Sequence, residues 1–538
     1  MAQHHSTGAA PPKTADNGRV ARPLDVSQGL AEADRLNPTT LGSRLKSMTN
    51  VFFDPSFNWR AHPLWRQVWD AVDRSESLET SGYDPGATGS RDEVLTALLA
   101  GNESARGKVM SDTLAELMMD DQTFMRMKQT AITMFRRENT HGQIREVDSE
   151  IIFLRLVLSW QRVLQESNPR LVIFAVTPHF VDSFSLLAAA QALGIRTLWF
   201  QPSSLTPVMM PRFSLAELPD SRTLAGPCED TTSTILRILE LQLSGAQARA
   251  PKTYLARQAA LDESAGRVGG KWRAILWTVR WLIRGRFPDR IFPPRAYQLP
   301  RPLDRVLQVL VPRISAISLR KAFFREVSEE APGGNYALFA LHYEPERTSV
   351  PEGGVESSQV EQIIKANSLV SEDMGLVVRE HRSQLSAAMA GYRGRSPFFY
   401  ELAVRDLGLT LDYATPLPTI IDNATVVFTG SGNIAVEAAM AGVPVVYFGF
   451  PWWAGMPGTY SYGDVIQQGL KVRSLVGSDP ETVANFVETR CLSEMLPGGA
   501  SESLEELERR FGPLGCPFME TSGKAVADFV INEVLSSR

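Results

Sequence analysis

The chain has 538 residues, too many for one ordinary core and suited to two or three domains. Its 43% hydrophobic and 21% charged residues exclude wholesale disorder. With 55 Lys and Arg against 60 Asp and Glu, the formal net charge of −5 excludes a surface that grips nucleic acid all over, though not a local basic patch.

The three cysteines, Cys228, Cys491 and Cys516, are far apart and belong to no CxxC or Cys/His cluster. That spacing argues against a disulfide scaffold and a structural zinc site, and points to a reducing, cytoplasmic setting. Residues 1–45, rich in Ala, Pro, Ser, Thr and Gly, read as a disordered leader without the apolar run of an export signal. No stretch of about 18 apolar residues occurs, so no membrane-spanning helix is expected.

Residues 46–165 read mainly as helices, with apolar residues at helical spacing from Asp112 to Phe135 and from Glu150 to Leu164. Arg170–Val176 is a continuous apolar run, broken at Thr177-Pro178-His179. A helical pattern follows from Ser183 to Leu193, stopped by Gly194, and then a second run, Arg196–Phe200. Strand, glycine-ended helix and strand predict a βαβ unit whose sheet is covered on both faces.

Lys271–Arg325 carries 13 Lys and Arg against two acids, Asp289 and Asp304, with Trp272, Trp277 and Trp281 set among arginines. Three readings fit: a helix on an anionic membrane surface, a basic face for an anionic ligand, or a solvated linker.

The second half repeats the alternation, with strands at Tyr336–Leu341, Gly375–Arg379, Thr425–Phe428 and Pro444–Phe448 and helices at Ser358–Leu369 and Asn433–Met440. The expected fold class is α/β, with two Rossmann-like, doubly wound parallel-sheet domains facing a cleft and helical additions at the N-terminal side.

Polar groups gather just past the strands, where open parallel sheets bind ligands. Thr429-Gly430-Ser431-Gly432-Asn433 joins a strand to a helix. Such a loop presents backbone N–H groups to a phosphate, or Ser431 or Asn433 simply caps the helix. Glu437, farther along that helix, suits a ribose hydroxyl or a structural pair. Glu344 and Glu346 flank Pro345 after the first of these strands, placed for acid/base work, for a sugar hydroxyl, or as a solvated acidic loop. Glu380-His381-Arg382 follows the next strand, with His381 placed to meet a phosphate or leaving group. Trp452 and Trp453 lie in a Gly/Pro-rich loop and suit either stacking on a sugar or burial in the core.

The runs LHYEPERTSVPEGG, VVREH, NATVVFTGSGNIAVEAAMAGVPVVYFG and GMPGTY, with LVIFAVTPHFVDSFSLLAAAQALGIRTLWFQ earlier, resemble the capsular and surface polysaccharide biosynthesis proteins of bacteria. That group includes the capsule β-Kdo transferases and has the GT-B fold. The resemblance covers residues 165–205 and 335–465. It implies an acceptor-side domain, taken as 46–270, and a nucleotide-sugar-binding domain, taken as 326–538; the basic connecting segment 271–325 and the N-terminal helices fall outside the resemblance. The implied activity is transfer of a sugar from a CMP-, UDP- or GDP-linked donor to a growing surface polysaccharide or glycolipid. The expected location, read from the residues themselves, is cytoplasmic, or peripheral on the inner membrane face through the basic segment 271–325, with no nucleic-acid partner. Thr429, Gly430, Ser431, Gly432 and Asn433 would hold the donor phosphate and Glu437 the ribose. Glu344, Glu346 and His381 would lie near the sugar, and His179 on the acceptor wall. Arg379 and Arg382 would meet the leaving phosphate. No D-x-D occurs, and the resemblance implies a reaction with neither metal nor cofactor. Relatives usually read K-E-H-P where this chain has Arg379-Glu-His-Arg382, a departure that supports a rival reading as a non-catalytic glycan or nucleotide binder; a second rival, a sugar-nucleotide epimerase, would share the two-domain cleft and need no acceptor.

Overall fold

The structure is a computed structural model that describes residues 51–54, 62–74, 80–82, 121–138, 146–215, 224, 226–244, 301–328, 332–344, 346–354, 357–386 and 391–535. The 1–45 leader and the tryptophans of the basic stretch lie outside the described residues.

The first half builds β1 (Val51–Phe53), α1 (Pro63–Asp73), β2 (Thr80–Gly82), α2 (Asp121–Glu138), α3 (Glu146–Ser167), β3 (Leu171–Phe174), α4 (Val181–Ala192), β4 (Arg196–Pro202), β5 (Val208–Arg212) and α5 (Glu229–Leu243). The β3–α4–β4 unit forms as the pattern predicts. All four β3 residues are buried, and so are the first ten of α4, which packs between the sheet and α2 and α3. Gly194 ends that helix at φ +66°, a left-handed position that glycine adopts without a Cβ penalty. Strands β2, β1, β3 and β4 run parallel, but β5 joins β4 antiparallel, so this sheet is mixed rather than purely parallel.

The second half builds α6 (Arg301–Glu326), β6 (Tyr336–Ala340), α7 (Gln359–Leu369), β7 (Gly375–Arg379), α8 (Pro397–Glu401), β8 (Thr410–Asp412), α9 (Leu417–Asp422), β9 (Ala424–Thr429), α10 (Ile434–Met440), β10 (Val445–Tyr447), β11 (Thr459–Ser461), α11 (Tyr462–Gln467) and α12 (Pro480–Ser493). Its sheet is parallel throughout, in the order β8-β7-β6-β9-β10-β11. Counted from β6, that order is 3-2-1-4-5-6. The chain's winding therefore reverses between the neighbouring strands β6 and β9, which end in register at Ala340 and Thr429.

After α12 the chain leaves the second sheet. Strand β12 (Leu496–Pro497) pairs antiparallel with β5, followed by α13 (Leu504–Phe511) and α14 (Cys516–Leu535). Helix α14 packs along α1, and Phe518, Val526 and Val530 enter one cluster with Leu64, Trp65 and Val68. The sequence reading kept 326–538 together, whereas residues 496–535 pack with the first sheet. An apolar helix face records that it must be covered but not by which sheet.

Apolar packing also joins the two sheets. Val208 and Met210 of β5 and Ile235 and Leu239 of α5 share a buried cluster with Val427, Val445, Trp453, Val483 and Val487. Among the described residues, no helix is long and apolar enough to cross a membrane.

Truncating Phe518 empties space against α1. Phe518→Ala is expected to lose about 3–5 kcal/mol in urea unfolding, and Phe398→Ala, at a side chain 77% exposed, less than about 0.5 kcal/mol.

Candidate functional site

The switch point between β6 and β9 is bridged by a histidine. His342 stands two residues past β6, and its Nε2 accepts the N–H of Ser431, two residues past β9, at 2.9 Å. An accepting Nε2 places the ring proton on Nδ1 and makes the imidazole neutral. Burial, reinforced by the nearby Arg395 charge, brings its pKa down from 6.5 to about 4. The glycines beside Ser431 make room for this ring. A Cβ on Gly430 would stand 2.8 Å from His342 Nε2, and one on Gly432 would stand 2.8 Å from Thr429 Oγ1 and 3.2 Å from His342 Cε1.

The protein itself therefore holds much of the loop expected to hold phosphate. Thr429 is buried, with its hydroxyl 3.5 Å from the Ala340 carbonyl, and Ser431 Oγ donates to the Thr348 carbonyl at 2.8 Å. Asn433 makes no side-chain cap bond. Its Oδ1 instead accepts from Trp452 Nε1 at 3.4 Å. Glu437 lies half-buried in the first turn of α10.

A buried guanidinium organises the neighbouring strand ends. Arg395, with a side chain 1% exposed, donates to Glu380 Oε2 at 3.0 Å, Glu344 Oε2 at 2.9 Å and the His342 carbonyl at 3.2 Å, and lies over the Phe399 ring. Tyr400 adds a 2.8 Å bond to Glu380. Burial works against the Arg395 charge, but the two carboxylates outweigh it and hold its pKa above the ordinary value. Burial likewise raises Glu344, with Arg395 opposing. Gln384 ties in the backbone, accepting from Glu344 N and donating to the Glu344 and Gly391 carbonyls.

Three expected placements are corrected. Arg379, assigned to the leaving phosphate, is buried at the end of β7 and spends its guanidinium on Asp412 of β8, with burial lowering its pKa. Glu344, a candidate catalytic carboxylate, is bound to Arg395. Trp452 and Trp453, expected to line the cleft, are core residues, and Trp453 packs edge-on against Tyr447. For Arg379 and Glu344 the charged partner is distant in sequence, 33 residues away on β8 and 51 residues away in the loop before α8.

Other expected residues face outward. Arg382 and Glu346 are exposed, and Glu346 Oε2 accepts from the Thr348 hydroxyl at 3.1 Å. His381 is half-buried, its Nδ1 accepting the Ser383 N–H at 3.2 Å, with its ring 6.1 Å from that of Tyr343. From the first sheet, His179 Nδ1 lies 2.9 Å from the Thr177 carbonyl, and the Thr177 hydroxyl donates to Glu352 Oε1 at 2.7 Å. Glu352 also forms an ion pair with Arg347 at 3.0 Å, and its carbonyl accepts the Phe450 N–H. Gln201 and Arg212 donate to the Phe450 carbonyl. Segment 346–354 thus links the glycine loop to the first sheet, beside His179. The sequence reading met His342 and Glu380 just past their strands but gave them no role of their own, and it gave none to Glu352 or Arg395. For His342 and Glu380 the usable signal is their position just past a strand.

No protein-family model matches the chain, and no curated protein matches it. Among solved structures it is similar to Thermosulfurimonas dismutans KpsC, a beta Kdo 2,7 transferase, with 11% identity, coverage of 61% of this chain and 78% of that one, and a TM-score of 0.24. It is also similar to the Methanocaldococcus jannaschii UDP-GlcNAc 2-epimerase in complex with UDP-GlcNAc and UDP, with 10% identity, coverage of 82% and 98%, and a TM-score of 0.21.

Two outcomes follow from the buried groups. The unfolded chain protonates His342 near pH 6.5 and the folded one near 4, so this group's contribution to stability is complete above 6.5 and lost as pH falls through 4. Between pH 7 and 5 the loss is about 2 kcal/mol. His342→Gln, which keeps an acceptor without a titrating ring, is expected to flatten that part of the stability–pH curve in urea unfolding. Arg395→Met strands Glu380 without its counter-charge and is expected to cost about 3–5 kcal/mol. Arg395→Lys should recover little of this, because one ammonium cannot span both carboxylates and the carbonyl.

Proposed function

We propose that the protein is a glycosyltransferase that moves a sugar from a nucleotide-activated donor to a bacterial surface polysaccharide or glycolipid, with the nucleotide seated at the switch point of the second sheet. The observation that carries this reading is the 3-2-1-4-5-6 parallel sheet with a glycine-bearing loop clamped at its reversal by His342. Ligands of open α/β sheets bind in that crevice.

In this reading His342 is a positioning residue. It fixes Ser431 and leaves the amides of Gly432 and Asn433, at the entry to α10, for the donor phosphate. Glu437 takes the ribose. Arg382 and His381 meet the charge that develops on the leaving phosphate, so the reaction needs no metal. Glu346 is the exposed carboxylate placed to accept a proton, and His179 faces the acceptor from the first sheet.

The test begins with melting temperatures in CMP, UDP, GDP and their sugar conjugates. A ligand at about 100 times its dissociation constant stabilises by about 2.7 kcal/mol, so one nucleotide class is expected to raise the melting temperature clearly. Nucleotide release should then depend on an acceptor glycan, survive EDTA, and fall at least tenfold in Arg382→Gln and His381→Ala with folding intact. Absence of any nucleotide shift would leave the non-catalytic reading standing. Interconversion of the donor sugar without acceptor would replace transfer by epimerisation.

A further inference from the structure

Helix α6 carries a surface that neither the sheet nor the proposed site uses. Over its described side chains, Leu319, Ala322 and Phe323 turn inward, where Phe323 packs edge-on against Tyr400 and Tyr413. The outward stripe at 314, 317, 321 and 324 has helical spacing, yet three of its four positions are large and apolar. Ile314 is 63% exposed, Ile317 57% and Phe324 44%. Phe398 of α8, 77% exposed, lies one turn before Glu401, which the Arg325 guanidinium holds at 2.7 Å and so fixes against the end of α6.

The charges on this face are unequal. Arg325 and Arg405 are matched by Glu326 and Glu401. Arg320 and Lys321 form no ion pair among the described residues, and Arg320 lies 5.5 Å from the Phe324 ring centre. A solvated helix face would bear polar residues at 314 and 317, and a protein interface tends to shed unpaired lysine from its centre. Exposed isoleucine and phenylalanine beside unmatched cations have the composition of a helix lying in the headgroup region of an anionic bilayer. There the apolar side chains enter the acyl boundary and the cations meet lipid phosphates.

We propose that α6, with Phe398, is a membrane-docking face for anionic lipid. The proposal stands apart from the sugar-transfer reading, since it rests on other residues and needs no nucleotide. The two meet in space: α6 also packs against the turns at 382–385 and 391–393, the first of which carries Arg382 directly after His381. A bilayer held on α6 would lie beside the candidate site.

The experiment is co-sedimentation of the full chain with vesicles of phosphatidylcholine alone or with 30% phosphatidylglycerol, at about 50 and 500 mM salt. Binding is expected only with the anionic lipid, and to weaken at least fivefold at high salt as the attraction is screened. Arg320→Gln/Lys321→Gln is expected to weaken it about tenfold or more, and Ile314→Gln/Ile317→Gln comparably. These side chains are exposed, so unchanged melting temperatures are expected and would separate lost docking from lost folding. Full binding by both double variants, equal binding to neutral vesicles, or no binding to either would overturn the proposal. So would a concentration-dependent dimer that Ile314→Gln/Ile317→Gln abolishes without any vesicle binding, which would assign the face to a second copy of the chain.

Discussion

The carboxyl end of the second sheet depends on one guanidinium almost out of contact with water. Desolvating such a cation is costly, and the cost is met only when every donor finds a well-placed acceptor. Arg395 has two carboxylates and a carbonyl in reach, with an aromatic ring against its face. Those acceptors belong to different segments: His342 and Glu344 follow β6, and Glu380 follows β7. Satisfying the charge therefore fixes the spacing of both strand-end loops. His342 is then presented to the β9 loop at hydrogen-bonding distance.

This chain of constraint separates two populations of polar residues. Glu344, Arg379, Glu380 and Asp412 are consumed in internal pairs, and their work is to hold loops. His381, Arg382 and Glu346 stand on the same loops with more of their surface in solvent. Charged residues past strand ends thus divide into those that build the rim and those that face what enters it. Position along the chain does not distinguish them.

The sheets were legible because β3, β4, β6, β7, β9 and β10 are short, near-continuous apolar runs punctuated by glycine and polar breaks, a pattern only a doubly covered sheet demands. β1 and β2 were missed because they lie in a stretch read as helices, and Thr80–Gly82 contains no apolar residue at all. Side-chain partners were not legible. Asp412 lies 33 residues from Arg379, and Ser431 lies 89 residues from His342, and local pattern carries no information over such separations. The Thr429–Asn433 loop was found from its glycines, but the expected cause was a ligand's approach, where the immediate one is a histidine ring filling the space a Cβ would take.

The return of the chain through β12 to the first sheet has a consequence for biogenesis. The second sheet is contiguous, running from Tyr336 to Ser461, and every strand in it is available once that stretch has emerged. The first sheet begins at Val51 but lacks its last strand and the cover of α14 until residues up to 535 exist. During vectorial synthesis the half made first is thus the half completed last. Its apolar α1 face, with Leu64, Trp65 and Val68, waits from residue 68 to residue 518, about 450 residues, for its partner. That interval, rather than the finished fold, is where the chain is most open to capture by chaperones or by its own neighbours on a polysome.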